Sequence, residues 1–402
     1  MKIIIHLENL YRGGIDTAII KLIKNWPDKN DSFLLISNFE HPSNIFFKQH
    51  IGNKNKLITY KVPLFSLILS KLPKNFNILV IKILIFLFIV PIQFILMLLF
   101  LMQLRADALL VVNGGYPGGE TSRITSIIWK FLRRKNNFNN IHNLAVIPQR
   151  GIEKIFEKII DFFLIHSVDR FICVSKVSKS YLKKREAFEN LDKIIYIHNG
   201  ITEIDKNNLN LKNKLNISKN SRLCLVLASY EPRKGHEFLI NSFNLASKKI
   251  KNLHLVFIGH LSYTHMSYYN NLKKKLKKNI HFIQFLPNAS GLIDQSDILL
   301  LGSQEYESFG LVALEAMIQK TPIVATNIDA FCEVIGNNNL GIIKDKTNIE
   351  DYASQIIKCL TNQKLRQSVI DYGFKRSKLF SEKEMSKNYH NTIKSRSKIG
   401  YN

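Results

Sequence analysis

Cysteine is scarce in this chain, with four in 402 residues. Cys173, Cys224, Cys332 and Cys359 stand far apart, and no Cys-x-x-Cys pair or Cys/His spacing suited to zinc occurs. Three of them lie in apolar stretches and read as small core residues, a usage that fits a reducing compartment. A secretory leader is also missing: "MKIIIHLENL" runs straight into a strand pattern with no cleavage-like segment. No repeat with a period of 20 to 50 residues appears, which excludes a solenoid. Acidic residues run short, 31 against 57 lysines and arginines, for a formal charge of +26. That excess admits a polyanionic partner: nucleic acid, an anionic membrane face, or phosphorylated substrates. Lysine, asparagine and isoleucine are abundant throughout, so the charge permits these partners without selecting one.

What is present is a chain long enough for two or three domains, with 46% hydrophobic and 22% charged residues. "KIIIHL" at 2–7 is followed by Gly13-Gly14 and a helical pattern over 15–26, a strand–loop–helix unit. "FLLIS", "DALLVVNGG", "DRFICVS" and "KIIYIHNG" continue the alternation, with Ser175 placed to cap a helix beginning near Lys176. Residues 202–221 are polar and read as a boundary. The alternation then restarts with "RLCLVLAS", "LHLVFIG", "IHFIQFL", "SDILLLGS" and "PIVATN", with helical patterns after the first, second and fourth. The expected class is α/β, with two doubly wound domains in tandem and a cleft at the carboxyl ends of their strands.

One segment does not fit. Residues 83–104, "ILIFLFIVPIQFILMLLFLMQL", carry no charge over 22 positions. As a helix the run would be about 33 Å long, enough to cross a bilayer. A single crossing would strand "KIIIHL" and "DALLVVN" of one sheet on opposite sides. The favoured reading is a monotopic element dipping into the cytoplasmic leaflet, flanked by Lys71, Lys74, Lys82 and Arg105. The others are a buried core helix and a true crossing.

The chemistry concentrates in "EYESFGLVALEAMIQKTPIVA" at 305–325. A helix starting near Ser308 or Phe309 would aim its free amides at the strand end Gly302-Ser303, a ready anion site. Gly310 lets a ligand approach the backbone. Glu307 ahead of the helix and Glu315 about two turns in can accept hydrogen bonds from vicinal hydroxyls, so a sugar or ribose is a natural guest. Taken alone, a capped surface helix explains them as well. "SYEPRKGHEF" at 229–238 adds Arg233 and Lys234, two cations that can neutralise a diphosphate. "LKKKLKK" at 272–278 lacks an aromatic stacking platform and reads as a solvated helix face rather than a nucleic-acid site.

Over about 222–345 the chain resembles the retaining, nucleotide-sugar-dependent glycosyltransferases of family 4, with the GT-B fold. The resemblance rests on "ESFGLVALE", "EAMIQKTPIVATN", "PRKGHEFLI" and "LVFIG", with weaker matches in "GGIDTAIIKLI", "FICVSKVSKSYL" and "IYIHNGI". It implies that Glu307 holds the donor sugar and Glu315 the ribose hydroxyls. Amides of Phe309, Gly310 and Leu311 would meet the phosphates, Lys234 the diphosphate, and Gly13 and Gly14 the donor phosphates and acceptor. It implies no metal, and no Asp-x-Asp pair is present to hold one; the nucleotide sugar is a co-substrate, so no cofactor is expected.

Departures accompany the resemblance. Arg233 stands in for an arginine the family carries near Ser229. Lys320 replaces a glycine after the helix and is expected to be left-handed, and Asp329-Ala330 replaces a Gly-Gly pair. The family's first-domain histidine is not evident in "LAVIPQRG", where Pro148 and Gln149 stand, and His142, His166 and His198 read as structural. The implied organisation is a Rossmann-like acceptor-side domain at 1–200, a donor domain at 201–384, and a tail at 385–402 that can pack back on the first domain. The implied activity is glycosyl transfer to a lipid-linked saccharide or cell-envelope polysaccharide on the inner face of the cytoplasmic membrane. The alternative is a nucleotide-sugar epimerase of the same fold.

Overall fold

The structure, a computed structural model, describes residues 1–8, 13–64, 68, 78–148, 152–274, 277–336 and 340–397. Lys71, Lys74 and Gln149 lie outside the described residues, as does the Lys82 side chain. The chain divides into two compact units, Met1–His198 with Glu382–Asn402, and Asn199–Ser381.

The first unit holds β1 (Lys2–Leu7), α1 (Gly14–Lys24), β2 (Ser32–Asn38), α2 (Asn44–His50), β3 (Lys56–Tyr60), α3 (Ile78–Met102), β4 (Ala108–Asn113), α4 (Glu120–Phe131), β5 (Asn137–Ile141), α5 (Ile152–Ser167), β6 (Arg170–Cys173), α6 (Lys176–Lys183) and β7 (Ile194–Tyr196). Its sheet runs β3-β2-β1-β4-β5-β6-β7 with every pairing parallel. Parallel strands are covered on both faces, which is why β1 and β4 are continuous apolar runs. Trp26, Phe47 and the sheet residues Ile5 and Leu110 form the core on one face. Ile4, Leu109, Met97 and Trp129 form it on the other, beneath α3 and α4.

Strand β5 is the exception in composition. "NFNNI" is wholly buried, and one amide atom of each asparagine finds an internal partner while the other has none. Asn137 Nδ2 donates to the Ser126 and Ser167 carbonyls at 2.8 and 2.9 Å, Asn140 to Ile172 O at 2.9 Å, and Asn113 to Asn139 Oδ1 at 2.8 Å. Buried polar groups survive when so paired.

The last helix, α14 (Glu382–Ser397), belongs to the first unit. Met385, Tyr389 and Ile393 enter its core, and Glu382 bridges Lys21 at 2.8 Å.

The apolar segment forms α3, the crossover from β3 to β4. Gln93, Met97 and Leu101, four residues apart, face inward and are buried. The Gln93 amide donates to Pro63 O and to Glu120, both at 2.8 Å. The opposite stripe, with Phe88, Ile92, Ile95, Leu99 and Met102, is exposed. The fully buried core helix is therefore not what forms, because the sheet covers one face only. Among the described residues no helix is long and apolar enough to cross a membrane.

The second unit holds α7 (Leu211–Lys214), β8 (Arg222–Leu227), α8 (His236–Ser247), β9 (Leu253–Ile258), α9 (Met266–Lys274), β10 (Ile280–Ile283), β11 (Ile298–Leu301), α10 (Leu311–Ile318), β12 (Ile323–Thr326), α11 (Asp329–Ile335), β13 (Ile343–Lys344), α12 (Ile349–Thr361) and α13 (Gln363–Ser377). Its sheet is also parallel, in the order β10-β9-β8-β11-β12-β13. The direction of winding reverses between β8 and β11, and such a switch point leaves a crevice at the strand ends.

Candidate functional site

Two loops meet at that switch point. One leaves β8 and makes a single tight turn at Pro232–Lys234 before α8. The other leaves β11 and reaches α10 through Gly302–Gly310. Gly235 sits at φ +67°, and a Cβ on it would lie 1.9 Å from Gly302 O. Only glycine allows this approach. The Gln304 amide then donates to Arg233 O at 2.7 Å, closing the loops on each other.

The consequence is a buried-edge ion pair. Lys234 Nζ contacts Glu307 Oε1, with the two side chains 15% and 14% exposed. Ser303 Oγ donates to the same carboxylate oxygen at 2.6 Å. Arg233 is held differently. Its Nε meets Glu231 at 2.7 Å, and its guanidinium lies over the Tyr306 ring, 4.9 Å from the centroid. Burial alone would raise the Glu231 pKa, but the Ser229 hydroxyl and the Arg233 charge outweigh it and bring it below the usual carboxylate range.

Helix α10 begins at Leu311, not at Ser308 or Phe309, because Gly310 takes the N-cap at φ +91°. The two residues ahead cannot continue the helix through that left-handed step. Glu315 is consequently the fifth helical residue, little more than one turn in, and is half-buried. Phe309 turns its ring inward against Phe380 and is 1% exposed. The early amides of a helix lack partners within it and carry the positive end of its dipole.

In the first unit, Gly13 caps α1 in an extended conformation, and its N–H donates to the buried Asp16 at 3.2 Å. No atom lies within 4 Å of where a Gly13 Cβ would stand. Gly14 opens the helix. The neighbouring helix start is differently employed. Glu8, just past β1, accepts the Glu120 and Thr121 amides at 2.9 and 2.8 Å. The chain's own carboxylate thus fills the anion position of α4, at the β1/β4 switch point of this sheet. Burial raises the Glu8 pKa.

His142 is expected from the sequence to be structural. It is the first residue past β5, its N–H donates to Asn113 O at 3.0 Å, and its Nε2 has no hydrogen-bond partner. Burial pulls its pKa down to about 4, so the ring is neutral at pH 7. The signal was its position at a strand's carboxyl end, obscured because "NFNNI" does not look like a strand. His166 Nδ1 donates to Phe162 O at 2.7 Å within α5, and the His198 ring lies tilted against Tyr196.

Among the described residues one acidic grouping, Asp28, Asp31 and His390, has metal-like spacing. Lys394 meets Asp28 at 2.5 Å and the N-terminal ammonium meets Asp31 at 2.5 Å, so ammonium groups already neutralise it.

Residues 207–376, which include both loops and all of α10, match the family model of glycosyl transferases group 1. The chain is 28% identical over 221 residues to an uncharacterized glycosyltransferase of Methanocaldococcus jannaschii, covering 53% of this chain and 56% of that protein. It is 26% identical over 152 residues to the phosphatidyl-myo-inositol mannosyltransferase of Mycobacterium leprae, covering 37% and 40%. The matches span about half, or less, of these curated relatives. The solved structure of Anabaena HepE with UDP and glucose aligns at a TM-score of 0.74, with 16% identity, over 98% of this chain and all of that one. The fold is GT-B, built of two Rossmann-like domains.

Proposed function

We propose that this chain is a retaining glycosyltransferase, moving a sugar from a nucleotide-sugar donor to a lipid-linked saccharide or envelope polysaccharide. The Lys234–Glu307 pair beside the glycine-capped start of α10 carries the reading. Such a site suits a guest that is both anionic and rich in hydroxyls. A donor's diphosphate competes for Lys234 and releases the Glu307 carboxylate to the sugar hydroxyls. Amides of Phe309, Gly310 and Leu311 answer the phosphate oxygens, Arg233 adds charge, and Glu315 accepts from the ribose. The bond from the anomeric carbon to the diphosphate oxygen breaks, the acceptor hydroxyl oxygen takes its place, and the hydroxyl proton passes to the departing diphosphate. Negative charge grows on the diphosphate, where fixed cations and dipoles lower the barrier without a metal.

In this reading the first unit serves the acceptor side, and Gly13 and Gly14 meet the donor phosphates and the acceptor. The bare face of α3 rests on the inner leaflet of the cytoplasmic membrane. The family match over the second unit and a relative named for mannosyl transfer to a phosphatidylinositol support it.

The test is incubation with a panel of nucleoside diphosphate sugars and an envelope lipid extract, following nucleoside diphosphate release. NMR of the product then gives the anomeric configuration. Release that depends on the extract, with configuration kept, supports the proposal. Conversion of the donor sugar to an epimer with no acceptor present favours the alternative.

A further inference from the structure

The exposed apolar residues of this chain are concentrated on one side of one unit. Among the described residues, fourteen of the twenty-one exposed large hydrophobic side chains fall between Leu87 and Phe163. Seven are on α3, four on α5, one at the end of α4, and two in the loop entering α5. Helix α4 packs between α3 and α5 on a single face of the sheet. Its own residues are mostly buried, so the outer helices carry the bare stripes.

On α5 the stripe is Ile155, Ile159, Phe162 and Phe163, from 49% to 59% exposed, at the spacing of one helical face. Large side chains present roughly 150–250 Å² each when fully exposed, so these four half-exposed residues present roughly 300–500 Å² and the fourteen together on the order of 1,000 Å². Monomers rarely leave more than about 300–600 Å² of contiguous apolar surface bare.

The charges around these stripes choose the occupant. Arg105 follows α3, Lys130 and Arg133 flank Phe131 at the end of α4, and Lys154 precedes Ile155, all exposed. The carboxylates described on these helices are engaged inward. Glu120 holds the Gln93 amide at 2.8 Å, Glu157 bridges Arg123 and Arg185 at 2.8 Å, and Asp161 is buried against Arg185 at 2.7 Å. A second copy meeting this face about a two-fold axis would set cations against cations. An anionic bilayer accepts both the apolar side chains and the positive rim.

We infer that α3 and α5 together form a two-railed lipid-docking face that seats the first unit on anionic phospholipid. This deepens the membrane reading proposed above and rests on it only for α3. The α5 rail goes beyond it. Helix α5 starts at the carboxyl end of the sheet, on the same edge as Gly13 and His142. The docking face thereby reaches the edge at which a lipid-linked acceptor would present its saccharide.

The test is co-sedimentation of the full chain with phosphatidylcholine vesicles, with and without phosphatidylglycerol, and with no donor present. Failure of glycosyl transfer therefore leaves it untouched. Ile159→Ser with Phe162→Ser removes apolar side chains from α5 alone, and Lys130→Glu with Arg133→Glu inverts the rim. Thermal melts report whether each variant folds, which these exposed positions favour. Wild type is expected to pellet with the anionic vesicles, and each double variant to bind at least about tenfold more weakly. An α5 double variant that folds and pellets like wild type overturns the inference, as does equal binding to neutral vesicles. A dimer that the α5 variant dissociates, with no vesicle binding by wild type, assigns the face to a second copy instead.

Discussion

The Lys234 ammonium rests on the Glu307 carboxylate, 73 residues away in sequence, at the point where the second sheet reverses its winding. Each partner supplies the countercharge that the other needs at a half-buried edge. A buried ion pair is weak evidence for stability on its own, because desolvation offsets its attraction. In the proposed function its value lies in keeping Lys234 and Glu307 poised and mutually neutralised until a diphosphate arrives. Glu307→Gln keeps the shape and removes the charge. Donor turnover in that variant is expected to fall by about a hundredfold or more. Affinity for nucleoside diphosphate alone is expected to hold or rise, because Lys234 no longer has a competing anion. Steady-state kinetics and calorimetry on one preparation separate the two effects.

Lys320 tests the backbone. It follows α10 at φ +56°, a left-handed conformation that side chains with a Cβ resist. Its ammonium lies 4.8 Å from the Phe374 ring centroid, which recovers part of the strain. Lys320→Gly is expected to raise stability by about 1 kcal/mol in urea denaturation, with the denaturant slope unchanged.

Gly235 tests the loop contact. Any Cβ there collides with the Gly302 carbonyl, and φ is positive as well. Gly235→Ala is expected to cost more than about 2 kcal/mol of stability and to abolish donor turnover. A stable, active variant would show that the two loops can part without consequence.

His236 sets a pH dependence in the second unit. It is fully buried against Tyr230, and desolvation lowers its pKa to about 4. An unfolded histidine titrates near 6.5, so between pH 6.5 and about 4 the unfolded chain binds the extra proton. Stability is present above pH 6.5 and is lost as pH falls through that window. The loss from this group is about 1.5 kcal/mol between pH 6.5 and 5. His254 and His281, whose pKa values burial also lowers, act in the same direction. Denaturation of wild type and His236→Gln at both pH values should show wild type losing more stability by that amount.

Much of the fold is legible in the sequence because parallel strands are apolar runs bounded by glycine and polar loops. The Ser175 cap is an example: its hydroxyl accepts the Ser178 amide at 2.9 Å, and α6 begins at Lys176. The left-handed Lys320 was expected only through the resemblance, in which a glycine follows the helix. Strand β5 was not, because "NFNNI" is polar and becomes strand only through amide partners on α4, α5 and β6. That gap also hid His142 at its carboxyl end. The two stripes of α3 could not be told apart, since a helix apolar on every side gives no clue to which face the sheet covers. The start of α10 was misjudged by two or three residues because Gly310 looks like a point of ligand approach and serves as the cap as well.

Calorimetric titration with a nucleoside diphosphate, comparing wild type with Lys234→Ala and Glu315→Ala, addresses the central claim most directly. Removing a charge-assisted hydrogen bond is expected to weaken binding by about ten- to a hundredfold in each variant. The Lys234→Ala loss should shrink as salt is raised, because the interaction removed is electrostatic. Undiminished affinity in both folded variants would contradict the account.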